Sequence, residues 1–190
     1  MKRIFLAIDI TPGAALLDAY DDIRYTLRME KINWVRKDQM HLTLAFLGDT
    51  EENIIPDLVT GIETVMNAHH SFKLTLSGLG VFRNIHDPRV IWIGCQSEKE
   101  FQEIKSETDK MLTTLEFEVE DRPFAPHLTL GRIKFMRHLN HLGQLIGVYR
   151  DTVFHSENVG KVVLYESKLT TDGPEYYPVH KFSLVVSGDS

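Results

Sequence analysis

The 190-residue chain contains a single cysteine, Cys95, which excludes an internal disulfide framework and a cluster of thiolates around a structural zinc. Its flanks, Val90-Ile91-Trp92-Ile93-Gly94, read as a core strand, where a free thiol behaves as a small apolar side chain. No stretch approaches the roughly 20 apolar residues needed to span a bilayer. The opening MKRIFLAIDI pairs two basic residues with an apolar run, but Asp9 interrupts the run and no small-residue cleavage site follows, so it reads as a buried strand. A soluble, cytoplasmic protein with no membrane contact is expected. Cation excess is also missing. The net charge is -6, and division after Cys95 gives 10 basic and 12 acidic residues, then 11 and 15. Neither half is a basic arm, which argues against adhesion to long nucleic acid through many phosphates at once. Recognition of one phosphate or of a nucleic-acid end stays open. No linker rich in Gly, Pro or Ser divides the chain, and no low-complexity tract occurs.

A hydrophobic fraction of 43% supports a core of one domain or two small lobes. Against this ordinary background, two tetrapeptides repeat 86 positions apart: His41-Leu42-Thr43-Leu44 and His127-Leu128-Thr129-Leu130. In an extended chain, alternate side chains share a face, so each His and Thr point one way and the leucines point the other. One such stretch is an ordinary half-buried strand. A matched pair implies two similar half-sites, able to direct two imidazoles and two hydroxyls into one cleft.

The surrounding pattern is strand-helix-strand twice over. Residues 4 to 10 read as a strand, and Thr11-Pro12-Gly13 starts a helix ending near Glu30. The first motif strand spans 40 to 47, after Trp34-Val35. Gly48-Asp49-Thr50 punctuates, with Asp49 or Thr50 expected to cap a helix through Ile54, Leu58, Ile62 and Met66. Strands follow at 72 to 82 and 90 to 95, a helix at 98 to 115, and the second motif strand after Pro123 and Pro126. A helix over 136 to 149 and closing strands at 159 to 170 and 182 to 186 complete the expectation. The fold expected is α+β, with two pseudo-symmetric lobes, antiparallel-rich sheets and outer helices around a central cleft. Residues 1 to 190 then form one bilobal domain, expected to be a monomer.

Paired histidines suit acid-base chemistry, because neutral imidazole accepts a proton and imidazolium donates one near neutral pH. Phosphodiester cleavage needs both acts, plus donors that hold the non-bridging oxygens as charge redistributes. Thr43 and Thr129 hydroxyls fit that second task. No metal or other cofactor is required by this division of labour.

These residues carry a family resemblance. The two His-x-Thr-x motifs match the 2H phosphoesterase superfamily, and further stretches resemble its RNA 2′,3′-cyclic phosphodiesterase branch, historically called 2′-5′ RNA ligase. Those stretches are Phe5 to Asp9, Trp34-Val35, His41 to Gly48, Gly78 to Gly80, Pro88 to Gly94, Arg122 to Arg132 and Val163 to Ser167. The resemblance implies motif strands facing one another across a cleft, and hydrolysis of RNA 2′,3′-cyclic phosphate ends to a 2′-phosphate. It implies His127 as proton acceptor from water and His41 as proton donor to the leaving 3′ oxygen, with Thr43 and Thr129 on the phosphate. Run in reverse, the two histidines exchange roles, and the sequence alone does not fix which is which.

Arg132 follows His127 by five, where similar proteins bind phosphate with a basic residue. Strict alternation puts it on the opposite face, unless Gly131 allows a bulge or twist. Phe46 has the same offset in the first motif and suits either base stacking or the core. His138 and His141 share a helix face but lack a third ligand, and read as solvated. His69-His70 read as a helix end. Gly78-Leu79-Gly80 lacks the rest of a phosphate loop, which excludes Walker-type nucleotide hydrolysis. Trp34 and Trp92 read as core anchors.

The leading reading is a metal-independent cyclic phosphodiesterase, with 2′-5′ ligation as a related activity and RNA ends or small cyclic nucleotides as partners. The alternatives are a non-catalytic binder of RNA ends or nucleotides, and a phosphodiesterase acting on 2′-5′ linked oligonucleotides.

Overall fold

The computed structural model describes residues 1 to 96, 98 to 120, 123 to 171 and 173 to 186. Arg122, quoted above among the motif stretches, lies outside the described residues. The chain runs β1 (Lys2–Asp9), α1 (Ala14–Thr26), β2 (Lys31–Trp34), a 3-10 turn (Lys37–Gln39), β3 (His41–Thr50), α2 (Ile55–Met66), β4 (Phe72–Phe82) and β5 (Val90–Cys95). It continues through α3 (Glu98–Thr114), β6 (His127–Phe135), α4 (Leu139–Val148), β7 (Val153–Val159), β8 (Lys161–Thr170) and β9 (Gly173–Ser183).

The strands align in the order β7-β4-β5-β6-β3-β1-β8-β9, every named pair antiparallel, with β2 added beside β6. The lobes divide between β6 and β3, which touch at one register pair, Leu42 with Leu128. About that pair the chain is pseudo-two-fold: β3-β1-β8-β9 corresponds to β6-β5-β4-β7. The architecture is the α+β, two-lobed form expected. The motif strands, however, lie side by side at the centre of the sheet instead of facing each other from separate sheets.

Apolar periodicity builds this arrangement. In β1, Ile4 to Ile8 are all buried, as a central strand covered on both faces requires. Each such aliphatic side chain contributes roughly 1.5–3 kcal/mol on full burial. In α1, Leu16, Ala19, Tyr20 and Ile23 recur at helical spacing and are buried, as are Leu58, Ile62 and Met66 in α2. Phe101, Ile104 and Leu112 do the same in α3, with Met111 partly buried against the same core.

Two of the four helices among the described residues cross between halves. α1, which follows β1, packs on β7 of the other lobe, and α3, which follows β5, packs on β3. α2 packs on β9 and α3, and α4 on β4. The start of α4 is capped from a distance: the Glu30 carboxylate accepts from the backbone N–H groups of Arg137 at 2.6 Å and His138 at 3.1 Å. Burial opposes ionisation of Glu30, but those donors and His138 outweigh it and hold the carboxyl below its ordinary value. His138 is exposed, as expected, and its Nδ1 also lies 2.7 Å from the Glu30 carboxylate.

Three boundaries differ from expectation. β3 runs on through Asp49 and Thr50, which pair with Arg3 and Lys2 and so cap nothing. α2 instead begins near Pro56, whose fixed φ suits a first turn. β2 and β7 are strands beyond those expected, and β9 starts at Gly173 where a strand was expected only from Phe182. No helix among the described residues is long and apolar enough to cross a membrane.

Candidate active site

The buried Leu42 and Leu44 face the core while His41 and Thr43 stay partly exposed, and Leu128, Leu130, His127 and Thr129 repeat that division. Continuing the Leu42–Leu128 register sets His41 across from Thr129 and His127 across from Thr43. Four polar side chains thus meet on one face over the seam between lobes.

Both histidines are held in the same way. His41 Nδ1 lies 2.8 Å from the Gln39 carbonyl, and His127 Nδ1 lies 2.8 Å from the Ala125 carbonyl. A carbonyl only accepts, so each Nδ1 carries the proton and donates it, which leaves each Nε2 open. His41 rests against Phe5 and Tyr176, with ring centroids 5.2 Å away in each case. His127 meets Phe82 edge-on at 4.5 Å. A cavity of about 120 Å³ beside His127 is bounded by Phe82, Trp92, Gly94 and Pro126. A larger hollow of about 380 Å³ lies over α3, away from the histidines, where Lys105 and Asp109 already pair with each other.

A β-bulge resolves the placement of Arg132. In the β5–β6 ladder Trp92 pairs with Thr129 but Ile91 pairs with Gly131, so Leu130 is the extra residue. Leu130 and Gly131 are both turned inward, and Arg132 returns to the face of His127 and Thr129. β3 carries the same bulge: Ala7 pairs with Thr43 and Leu6 with Ala45, with Leu44 extra. Phe46 is consequently 58% exposed on the histidine face, which removes the core alternative. Glycine at 131 answers a different need from the one expected. A Cβ there would sit 2.8 Å from Ile32 and 3.0 Å from Trp34, so the absence of a side chain lets β2 close over the bulge.

Burial pushes the proton affinity of both histidines down, partly opposed by the carbonyl each one bonds, and the Arg132 guanidinium lowers both further. For His41 the Asp9 carboxylate pulls the other way. Arg132 has no carboxylate partner among the described residues, and the hydroxyls of Thr43 and Thr129 make no hydrogen bond there. A positive charge, two free hydroxyls and two open imidazole nitrogens around one space suit an anion undergoing proton transfer at both ends. Among the described residues no group of three or more His, Cys, Asp or Glu side chains is placed to hold a metal ion.

Sequence reasoning passed over Asp9, Tyr165 and Tyr176. Tyr165 donates to both Asp9 oxygens, at 2.7 and 2.8 Å, and its own ionisation is pushed above the ordinary value by burial and by that carboxylate. Asp9 gave one signal, a charge at the end of an apolar run. Tyr165 lay within the Val163 to Ser167 stretch but was given no role, and Tyr176 gave no signal, because β8 and β9 reach the site through long-range pairing. Gln39 Nε2 also donates to the Pro174 carbonyl at 3.1 Å, which ties the β8–β9 hairpin to the segment entering the motif strand.

Comparison with known proteins places these features in a lineage. The family described as LigT like Phosphoesterase matches twice, over residues 8–92 and 93–176, one copy for each histidine motif. An RNA 2′,3′-cyclic phosphodiesterase of Methanothermobacter thermautotrophicus is 32% identical over 184 residues, covering 96% of this chain and 98% of that protein. One of the same name from Methanocaldococcus jannaschii is 33% identical over 174 residues, covering 92% and 96%. The crystal structure of a Thermus thermophilus protein superposes with a TM-score of 0.78 at 26% identity, covering 96% of this chain and 97% of that one. With two half-sites, two copies of the family pattern and relatives matched along nearly their whole length, the chain belongs to the LigT-like phosphoesterase family.

Proposed function

We propose that this protein hydrolyses 2′,3′-cyclic phosphate ends of RNA to a 2′-phosphate, through acid-base catalysis by His41 and His127 and without a metal. The observation that carries the reading is the matched pair of imidazoles, each donating Nδ1–H to a carbonyl and presenting Nε2 to a space shared with Arg132. The names of its relatives supply the substrate class.

In this mechanism His127 Nε2 takes a proton from water as the oxygen attacks phosphorus. The bond from phosphorus to the 3′ oxygen breaks, and that oxygen takes a proton from His41 Nε2. One proton enters the protein and one leaves it, so exchange with solvent resets both groups. Thr43, Thr129 and Arg132 donate to the non-bridging oxygens, where charge grows in the transition state. Phe46 offers an aromatic face to the terminal base. A ribose 5′-hydroxyl in place of water would give a 2′-5′ link by the same transfers. The two lobes act as one catalytic unit, since each supplies one histidine.

The test is product analysis in EDTA, with a cyclic-phosphate RNA end, a 2′-5′ linked dinucleotide and a free cyclic nucleotide offered in parallel. Fast conversion of the RNA end to a 2′-phosphate is expected. Preferred cleavage of the 2′-5′ link would reassign the substrate, and saturable binding of all three without turnover would make the protein a binder.

A further inference from the structure

The pseudo-two-fold axis makes every position beside His41 comparable with one beside His127, and the ladders state the comparison. Asp9 pairs with His41, whereas Gly94 pairs with His127. One strand further out, Tyr165 pairs with Phe5, whereas Phe82 pairs with Val90 at the corresponding level. The carboxylate and the phenol hydroxyl that bond each other in lobe one are therefore both missing from lobe two, replaced by a hydrogen atom and a bare ring. Backbone packing enforces part of the difference: a Cβ at Gly94 would lie 2.9 Å from the Ser77 carbonyl oxygen.

Directly cross-strand side chains in an antiparallel ladder stand on one face with Cβ atoms about 4.5–5.5 Å apart. The Asp9 carboxylate is thus a fixed neighbour of the His41 ring, aimed by the Tyr165 hydroxyl at 2.7 and 2.8 Å. We infer that Asp9, held by Tyr165, is a positioning residue that selects His41 as the proton donor and leaves His127 as the base. This rests on the proposed function and adds what breaks its symmetry. Asp9 stabilises the His41 imidazolium before the step and exchanges no proton with substrate.

The other groups around His41 do not make this distinction. They are Arg132 and His127 from β6, Tyr176 from β9, and the Gln39 carbonyl. Around His127 stand Arg132, Phe82 and the Ala125 carbonyl. Arg132 and burial disfavour protonation of both rings, each ring has one carbonyl, and the His127 charge acts against protonation of His41, so Asp9 is the one charge that favours a protonated ring, and it stands beside His41 alone.

The experiment is an NMR titration of both imidazoles, without substrate, in wild type and in Asp9→Asn, whose amide oxygen still accepts from Tyr165. The His41 midpoint should fall by about one pH unit, an opposite charge nearby being worth one to three. That of His127 should stay in place. In turnover of a cyclic-phosphate RNA end, the alkaline limb should move to lower pH, with kcat down roughly 10-fold above it, KM little changed, and activity regained on acidification. Asp9→Glu, which retains the charge, should keep the wild-type midpoint. Asp9→Ser removes the same charge with a smaller side chain and should repeat the Asn result if the amide disturbs folding. An unmoved His41 midpoint, or equal movement of both histidines, overturns the inference while wild-type turnover still supports the function. Wild-type enzyme that leaves cyclic phosphate intact overturns the function itself.

Discussion

Arg132 shows how a residue's role depends on a backbone detail that its sequence position hides. The two His-x-Thr-x motifs were legible because strand alternation is strict over four residues, and their histidines and threonines lie where that rule sends them. The same rule sends Arg132 to the wrong face, and only the extra Leu130 brings it back. Once there, it depresses the proton affinity of both histidines. Arg132→Ala should therefore raise both imidazole midpoints in the free protein while weakening the hold on substrate, with KM for a cyclic-phosphate end increased roughly 10- to 100-fold, the worth of a charge-assisted hydrogen bond. Arg132→Lys should restore the low midpoints but recover only part of KM, because an ammonium lacks the planar fork. NMR titration and steady-state kinetics read the two effects separately.

At the scale of elements, the sequence does not announce β2 or β7 and shows β9 only from Phe182, and β7 and β9 are the two ends of the strand order. β9 contains Pro174 and Pro178, which read as breakers, and an edge strand tolerates them because one side of its ladder needs no donor. β7 at the other edge, VFHSENV, mixes polar and apolar residues too evenly to announce itself. β5 stood out by its continuous apolar character, and its limits were read correctly. β2 lies close over the β6 bulge at Gly131, a contact between segments about a hundred residues apart that no local pattern encodes. Gly131→Ala should drive a methyl group into Ile32 and Trp34 and destabilise the fold by about 1–3 kcal/mol, measured by urea unfolding. The substitution should also reduce catalysis beyond what stability explains, since the bulge aims Arg132. Wild-type kcat/KM in a fully folded Gly131→Ala protein would dissociate the bulge from the site.

For the whole molecule, duplication was legible and its geometry was not. Repetition of one motif indicated two half-sites, but sheet order and the crossing of α1 and α3 onto the opposite lobe arise from packing between distant segments. That crossing ties the halves together where the motif strands share a single register pair, and it makes the histidine face a property of both lobes. Symmetry explains why two imidazoles are held alike. Departures from it, Phe46 against Arg132 and Asp9 against Gly94, are where the two halves acquire different work.

The central claim is that one histidine from each half is indispensable to a single reaction. Its most direct test is the initial rate on a cyclic-phosphate RNA end in EDTA for wild type, His41→Ala and His127→Ala, each checked for folding by circular dichroism. Each single variant should lose roughly 10²- to 10⁴-fold, the usual worth of a positioned general acid or base. Near-wild-type rates in both variants would contradict the account.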